Sequence, residues 1–182
     1  MKTNAPSLLV LTFLFGLSGL FTCPVTAQQV KTRVQTFRVG NEPVDLAFDG
    51  ANIWTANLYG DTVTKLRASD GTLLGTFPTG FEPEGIVFDG SNIWVANFGE
   101  HTLTKLRASD GTVLGTFPVG QRPQGMAFDG ANVWITLALD DTVSKVRASD
   151  GFILGTFPVG DFPREALFDG ENIWVSNLLV AR

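Results

Sequence analysis

The sequence predicts an all-β fold built from a repeated unit of four short antiparallel strands. One marker of the repeat is Phe-Asp-Gly, which recurs every 40 residues without an insertion, starting at Phe48, Phe88, Phe128 and Phe168. A second marker keeps the same spacing at Trp54, Trp94, Trp134 and Trp174. Between the markers, short β-branched and aromatic runs alternate with turn residues, and no stretch has helical periodicity over a helix's length. A fixed period of this size is typical of repeat architectures.

The second unit illustrates the predicted strands. Strand a is expected over 85–88, strand b over 92–97, strand c over 102–108 and strand d over 113–119. Asp-Gly pairs stand at the a-to-b and c-to-d turns, where glycine accepts the positive φ of a tight hairpin. These aspartates could instead bind calcium, but their recurrence at turns favours a structural role, since Asp also bonds its own backbone there.

Strand b indicates how the units pack. Ile93-Trp94-Val95-Ala96 shows no polar alternation, which suits a sheet covered on both faces by neighbouring sheets. Radial packing of four-stranded blades with a period of about 40–50 residues predicts a β-propeller. The propeller is incomplete, with three full units and part of a fourth. The expected partial propeller, 36–182, divides into units 36–75, 76–115, 116–155 and 156–182.

The first 27 residues predict a secretory signal peptide. Lys2 supplies a positive charge, an apolar run follows over 8–21, and Val25-Thr26-Ala27 places small residues before the cleavage point. A membrane anchor is the alternative, but the run is shorter than the ~18–20 apolar residues of a spanning helix. Cys23 could carry a lipid instead, although bulky residues precede it. We expect a secreted or periplasmic protein with a linker over 28–35 and no membrane span after cleavage.

Charge and cysteine content narrow the function classes. Removing the signal peptide takes away Lys2 and no acidic residue, so the net charge changes from −5 to −6. An acidic chain is repelled by phosphate backbones, which argues against nucleic acid as a partner. Cys23 is the sole cysteine, so the mature chain would have no disulfide and no cysteine-based metal site. We predict no cofactor and no metal.

The strand-b motif resembles a known family. Asn92–Asn97, with its counterparts Asn52–Asn57 and 172–177, is similar to the Tyr-Val-Thr-Asn repeat of bacterial and archaeal YVTN-type β-propellers, which are related to YncE-like and NHL-like propellers. The resemblance covers the chain from about Thr36, and the third unit departs from it with Leu137 in place of Asn. It implies rings of six to eight blades, and it implies no single function because that family includes surface, periplasmic and enzymatic members.

The number of units does not determine how the ring of blades is completed. A strand-d-like run at 36–39 could complete the last blade by strand exchange, but strand c of that blade is absent from the sequence. The chain could be a truncated gene product, a four-bladed ring with a defective blade, or half of a homodimer that completes one larger ring. An unpaired sheet edge favours such association.

A binding site is expected where the repeat varies. The a-to-b and c-to-d turns share one end of each blade and repeat closely, whereas the b-to-c and d-to-a loops share the other end and differ between units. Aromatic and arginine side chains there anchor contacts well. The candidate ligand-binding rim comprises Asp45, Tyr59, Phe81, Glu84, Phe98, His101, Arg122, Phe162, Arg164 and Glu165.

Two features of the rim bear on catalysis. Strand a carries Asp45 and Glu165 in the outer units but Gly85 and Gly125 in the middle ones, and we interpret those glycines as optional. The two carboxylates could hold a cation or act as acid and base, and His101, the only histidine, could act as a base. No catalytic set emerges, so the sequence favours an exported binding module for a protein, peptide or glycan. A lyase or lactonase-type propeller enzyme and an inactive truncated propeller remain the alternatives.

Overall fold

The repeated units form consecutive antiparallel sheets in the computed structural model, which describes residues 34–178. The first sheet contains β1 (Pro43–Phe48), β2 (Asn52–Asn57), β3 (Thr62–Arg67) and β4 (Leu73–Pro78). The second contains β5 (Pro83–Phe88), β6 (Asn92–Asn97), β7 (Thr102–Arg107) and β8 (Val113–Pro118). The third contains β9 (Pro123–Phe128), β10 (Asn132–Leu137), β11 (Thr142–Arg147) and β12 (Ile153–Pro158). The fourth sheet has two strands, β13 (Pro163–Phe168) and β14 (Ile173–Asn177).

Each sheet follows the order of the chain, so every complete blade is a four-stranded meander. The strands predicted for the second unit agree with β5 to β8 to within two residues at each end. A single 3₁₀ turn at Leu58–Gly60 is the one helical segment among residues 34–178. The all-β, incomplete propeller that the repeat predicts is therefore confirmed.

The predicted signal peptide, 1–27, and most of the linker, 28–35, lie outside the described residues. Within the described part of the chain, no helix is long and apolar enough to cross a membrane.

The core lies between blades, and strand b contributes to two layers of it. Ile93 and Val95 of β6 pack in a cluster with Trp54 of the first blade. Trp94 and Ala96, which point the other way, pack in a cluster with Ile135 of the third blade. Because successive side chains of a strand point to opposite faces, an unbroken apolar run is what a sheet between two neighbours requires.

The a-to-b turn is built on one aspartate. Asp89 Oδ1 accepts hydrogen bonds from the backbone N–H groups of Ser91 and Asn92, which confirms the structural interpretation of the Asp-Gly pairs. Its Oδ2 accepts a further bond of 2.8 Å from the indole N–H of Trp94. The same indole bond recurs in every blade and measures 2.9, 2.8 and 2.6 Å in the other three. Each aspartate therefore joins the turn to the tryptophan of the second strand, which is fully buried in the first two blades.

The glycines that open strand a in the middle blades are not optional, contrary to the sequence-based interpretation. A Cβ on Gly85 would collide with the backbone carbonyl of Gln124 on the next blade. A Cβ on Gly125 would collide with the backbone at Arg164 and Glu165. These two positions have no side chain because the inner strands of adjacent blades approach one another there.

The first residues of the described chain pack like a fourth strand of a preceding blade. Phe37 lies against Gly71, as Phe77 of β4 lies against Gly111 of the second blade. The segment 36–39 has no strand partner among the described residues, so no strand is assigned to it. The structure thus places the predicted strand-d-like run in the packing position of a d strand.

Candidate functional site

The inner strands of the four blades bring equivalent residues together. Neighbouring inner strands pack side by side in the order β1, β5, β9 and β13. Residues 40 apart in the sequence therefore stand at the same height around the axis. They enclose a cavity of about 240 Å³, here called the axial cavity, lined by Val44, Asp45, Glu84, Gly85, Gln124, Gly125, Arg164 and Glu165.

Glu84 is the centre of the polar contacts in the axial cavity. The Gln124 side-chain Nε2 donates to both carboxylate oxygens of Glu84 at 3.3 Å. The Arg164 guanidinium lies 3.7 Å from Glu84 Oε1. Burial raises the pKa of Glu84, and the Arg164 charge and the Gln124 hydrogen bond oppose that rise. The three blades that supply these residues are thereby linked across the axis.

Gln124 is the most deeply buried polar group of the site. Its residue surface is 4% exposed, and its Oε1 has no hydrogen-bond partner among the described residues. The amide orientation follows from chemistry, since turning it round would place Oε1 against the Glu84 carboxylate. A buried acceptor without a partner costs about 1–3 kcal/mol. Gln124 Oε1 is therefore a buried acceptor without a partner, on a residue that lines the axial cavity.

Asp45 and Glu165 face the same cavity from the first and fourth blades. Burial raises the pKa of Asp45, although backbone N–H groups of Ile86 and Leu46 donate to its carboxylate at 2.9 and 2.8 Å. Partial burial is the main cause that raises the pKa of Glu165, and the negative charge of Asp45 raises it further. The Arg164 guanidinium partly compensates the negative charge of Glu84. The carboxylates of Asp45 and Glu165 therefore give the cavity an excess of negative charge.

A second cavity of about 380 Å³, here called the interblade cavity, lies between the second and third blades at the end that carries the variable loops. It is lined by Phe81, Glu82, Phe98, Gly99, His101, Gln121, Arg122 and Leu139. The Arg122 guanidinium stacks 4.7 Å from the centre of the Phe98 ring. This arrangement is a cation–π contact and fixes the arginine at the cavity wall.

His101 has a structural role in the interblade cavity. Its Nδ1 accepts a hydrogen bond of 3.2 Å from the backbone N–H of Arg122. Aspartates at the equivalent positions, Asp61 and Asp141, accept the same bond from Glu82 and Phe162 at 3.0 and 2.9 Å. His101 thus replaces a repeat aspartate that holds two loops together, and its Nε2 is the nitrogen left for other contacts.

The structure divides the predicted rim between the two cavities. Asp45, Glu84, Arg164 and Glu165 meet at the axis, and Phe81, Phe98, His101 and Arg122 meet between blades. Tyr59 and Phe162 line neither cavity. Gln124 was not among the predicted site residues, although the 40-residue repeat places it level with Glu84 and Arg164.

Over residues 34–178, no group of three or more His, Cys, Asp or Glu side chains is arranged to hold a metal ion. The axial cavity instead offers separated oxygen acceptors and one guanidinium. Such a set suits a ligand group with several hydrogen-bond donors.

Comparison with known proteins supports the fold. No family model matches the sequence, and no curated protein does. Among solved structures, the chain is similar to hydrazine synthase of Kuenenia stuttgartiensis, with 18% identity, a TM-score of 0.65 and coverage of 76% of this chain and 42% of that one. It is similar to a streptogramin B lyase, with 19% identity, a TM-score of 0.63 and coverage of 74% and 48%. A catalytically inactive virginiamycin B lyase from Staphylococcus aureus, in a structure with quinupristin, gives 16% identity, a TM-score of 0.68 and coverage of 81% and 54%.

These similarities show a propeller repeat protein and leave its activity open, since sequence identity is low and fold does not determine function. The chain spans about half the length of the solved chains it matches.

Proposed function

We propose that this protein is an exported binding module that captures the ammonium group of a peptide in its axial cavity. The observation that carries the proposal is the buried, unpartnered Oε1 of Gln124 in a cavity with excess negative charge. An ammonium group has three donors and a positive charge, so it can satisfy Gln124 Oε1 and the carboxylates of Asp45 and Glu165 together.

The size of the cavity suits a group of this kind. Its volume of about 240 Å³ is below the ~300–1,000 Å³ usual for pockets that enclose a drug-sized molecule. The rest of a bound peptide would extend over the variable loops towards the interblade cavity, where Phe98 and Arg122 offer aromatic and cationic contacts. Export rests on the predicted signal peptide, and membership of the YVTN-type propellers rests on the strand-b motif. Both are part of the proposal.

The test is calorimetric titration of the purified chain with triglycine and with N-acetyl-triglycine, which lacks the ammonium group. We expect triglycine to bind and N-acetyl-triglycine to bind at least about tenfold more weakly. A tenfold weaker affinity is a loss of about 1.4 kcal/mol of binding free energy, about what one hydrogen bond to a charged group supplies. Gln124→Met, which keeps the volume but removes the acceptor, should weaken triglycine binding by a similar factor. Equal affinity for the two peptides would refute the proposal.

A matched control separates the site from the overall negative charge. Glu42→Gln removes one carboxylate at the same end of the blades, outside both cavities. Glu165→Gln removes one from the axial cavity. The proposal requires the second change to weaken triglycine binding and the first to leave it within about twofold.

Binding should also depend on pH. The pKa values of Asp45, Glu84 and Glu165 are raised, so these carboxylates gain protons at a higher pH than ordinary acids. Protonation would leave the Arg164 charge uncompensated and repel an ammonium group. Triglycine affinity should therefore fall as the pH is lowered through these pKa values.

A propeller enzyme of lyase or lactonase type is the second candidate. Three carboxyl groups of raised pKa in one cavity favour it, since a protonated acid beside an ionised base is the usual arrangement for proton transfer. The streptogramin B lyase and the virginiamycin B lyase have the same fold, and the second is in a structure with quinupristin. Incubation with quinupristin followed by chromatography tests this candidate. A new species that forms with the chain, and not with an Asp45→Asn, Glu165→Gln variant, would favour the enzyme.

A further inference from the structure

The junction between the second and third blades reverses the charge pattern of the repeat. The position that joins two loops holds Asp61 and Asp141 in the first and third units but His101 in the second. The position before the d-to-a proline holds glutamate in the first two units but Arg122 in the third. The two changes meet in one contact, because the backbone N–H of Arg122 donates to His101 Nδ1. A basic residue thus stands in place of an acidic one on both sides of this junction, in a chain with a net charge of −5.

Arg122 is held in place while its charge stays available. Its backbone carbonyl accepts a hydrogen bond of 3.0 Å from the N–H of Ala138, and its guanidinium is stacked on the Phe98 ring. None of the ion pairs formed by residues 34–178 includes Arg122. Glu82, the acidic residue that lines the interblade cavity, has its Oε2 beside Gly99 of the second blade. Stacking covers one face of the planar guanidinium and leaves the N–H donors at its edge for an anion.

His101 adds a second donor to the interblade cavity. Because its Nδ1 accepts the hydrogen bond from Arg122, the neutral ring carries its proton on Nε2. An aspartate at this position, as in the first and third units, offers acceptors only. His101 and Arg122 line the same cavity, so their side chains together supply donors of the kind that a carboxylate accepts.

Gly99 leaves space beside these donors. The equivalent residues of the first and third units are Tyr59 and Leu139. A Cβ on Gly99 would lie 2.7 Å from Cδ1 of Phe81, so a larger side chain would displace the Phe81 ring. Phe81 and Leu139 both line the interblade cavity, and they are 54% and 50% exposed. The cavity therefore combines donors for an anion with apolar walls.

We propose that the interblade cavity is a binding site for the C-terminal residue of a peptide. The terminal carboxylate accepts hydrogen bonds from the Arg122 guanidinium and from His101 Nε2. An apolar side chain on that residue lies against Phe81 and Leu139. Both contacts use groups that only this junction brings together among residues 34–178.

The carboxylate site and the axial cavity are close enough for one short peptide. Arg122 stands two residues before Gln124 in the chain, and two residues span at most about 7 Å. Three peptide residues span about 10 Å, so a tripeptide can place its ammonium group in the axial cavity and its carboxylate on Arg122. This double attachment rests on the function proposed above, whereas the carboxylate site by itself does not.

The probes are Gly-Gly-Phe and its C-terminal amide, titrated calorimetrically into the purified full chain. We expect the amide to bind at least about tenfold more weakly, because it lacks the carboxylate. The amide carries a net positive charge, which an acidic chain attracts, so the overall charge acts against this result. Gly-Gly-Phe should also bind at least about fivefold more tightly than triglycine, since its ring is buried against the apolar walls.

Two variants that restore residues of the repeat test the site from the protein side. Arg122→Glu and His101→Asp introduce the residues that other units carry at these positions, so the fold can accept them. Each should weaken Gly-Gly-Phe binding at least about tenfold, and Arg122→Glu should abolish the preference over the amide. Arg67→Gln is the control, because it removes a positive charge that is paired with Asp70 at the other end of the blades. It should leave the affinity within about twofold.

N-acetyl-Gly-Gly-Phe separates this site from the ammonium site. Equal binding of Gly-Gly-Phe and its amide, with weaker binding of the acetylated peptide, would overturn the carboxylate site and leave ammonium capture standing. Weaker binding of the amide, with equal binding of the acetylated peptide, would support the carboxylate site and refute ammonium capture. A loss of affinity in Arg67→Gln as large as that in Arg122→Glu would also overturn the carboxylate site.

Discussion

At the scale of single residues, the aspartate that begins each a-to-b turn has two roles. It caps the turn through Oδ1 and holds a tryptophan through Oδ2. The turn role is predictable because it involves neighbours in sequence. The indole bond is not, since it requires the side chain five residues later to fold back over the hairpin. Position 124 was missed for a related reason: a glutamine gains importance only when burial leaves one of its atoms without a partner.

Asp89→Ala is expected to lower the free energy of unfolding by about 2 kcal/mol or more. The change leaves the indole N–H of the fully buried Trp94 without an acceptor, and a lost bond to a charged group costs about 1.5–3 kcal/mol. Denaturant unfolding measures the difference. Asp169→Ala is the matched control, because Trp174 is largely exposed and water can replace the carboxylate. Asp169→Ala should lower the free energy of unfolding by less than about 1 kcal/mol. Equal losses for the two variants would show that burial of the tryptophan does not determine the value of the bond.

Acid should remove part of the same stabilisation. Burial would raise the pKa of Asp129, but hydrogen bonds from Trp134, Asn132 and the turn backbone outweigh it and lower the pKa from 3.8 to about 2. A lowered pKa contributes stability that is complete above 3.8 and is lost as the pH falls through about 2. The stability difference between the native chain and Asp129→Asn should therefore shrink between pH 4 and pH 2. A constant difference over that window, measured by denaturant unfolding, would show that the charge of Asp129 is not involved.

At the scale of elements, strand positions follow from local sequence and blade contacts do not. The apolar run 93–96 and the flanking Asp-Gly turns were enough to locate β6 to the residue. The need for glycine at 85 and 125 could not be recognised in the same way. It arises from the backbone of the next blade, 40 residues further along the chain, and no local pattern shows how close two inner strands come.

Gly85→Ala is expected to destabilise the chain by at least about 2 kcal/mol. The added methyl would collide with the carbonyl of Gln124, and a backbone atom cannot move aside as a side-chain tip can. Overpacking of this kind typically costs about 1–3 kcal/mol. Thermal or denaturant unfolding measures the loss. Glu165→Ala, which places an alanine at the equivalent position of the fourth blade, is the control and should change stability by less than about 1 kcal/mol.

At the scale of the whole molecule, the number of blades in the described chain could be predicted from the repeat. The candidate site could be predicted only in part. The 40-residue register predicts that strand a of every unit faces a common axis, and Asp45 and Glu165 were selected on that basis. The separation of the rim into axial and interblade cavities was not predictable. It depends on how far apart neighbouring sheets lie, which is determined by the core side chains of two blades.

Stability should vary along the chain from blade to blade. Repeat proteins gain most of their stability from contacts between neighbouring units, so a unit covered on both faces opens less readily than one at the end of the array. The second blade is covered by the clusters around Trp54 and Trp94, whereas in the fourth sheet Trp174 and Leu167 are exposed. Native-state hydrogen exchange tests this expectation on matched amides. Those of β14 bonded to β13 should be protected at least about a hundredfold less than those of β6 bonded to β5, a difference of about 2.7 kcal/mol. Equal protection would mean that the blades open together, and that β14 has a covering partner in solution.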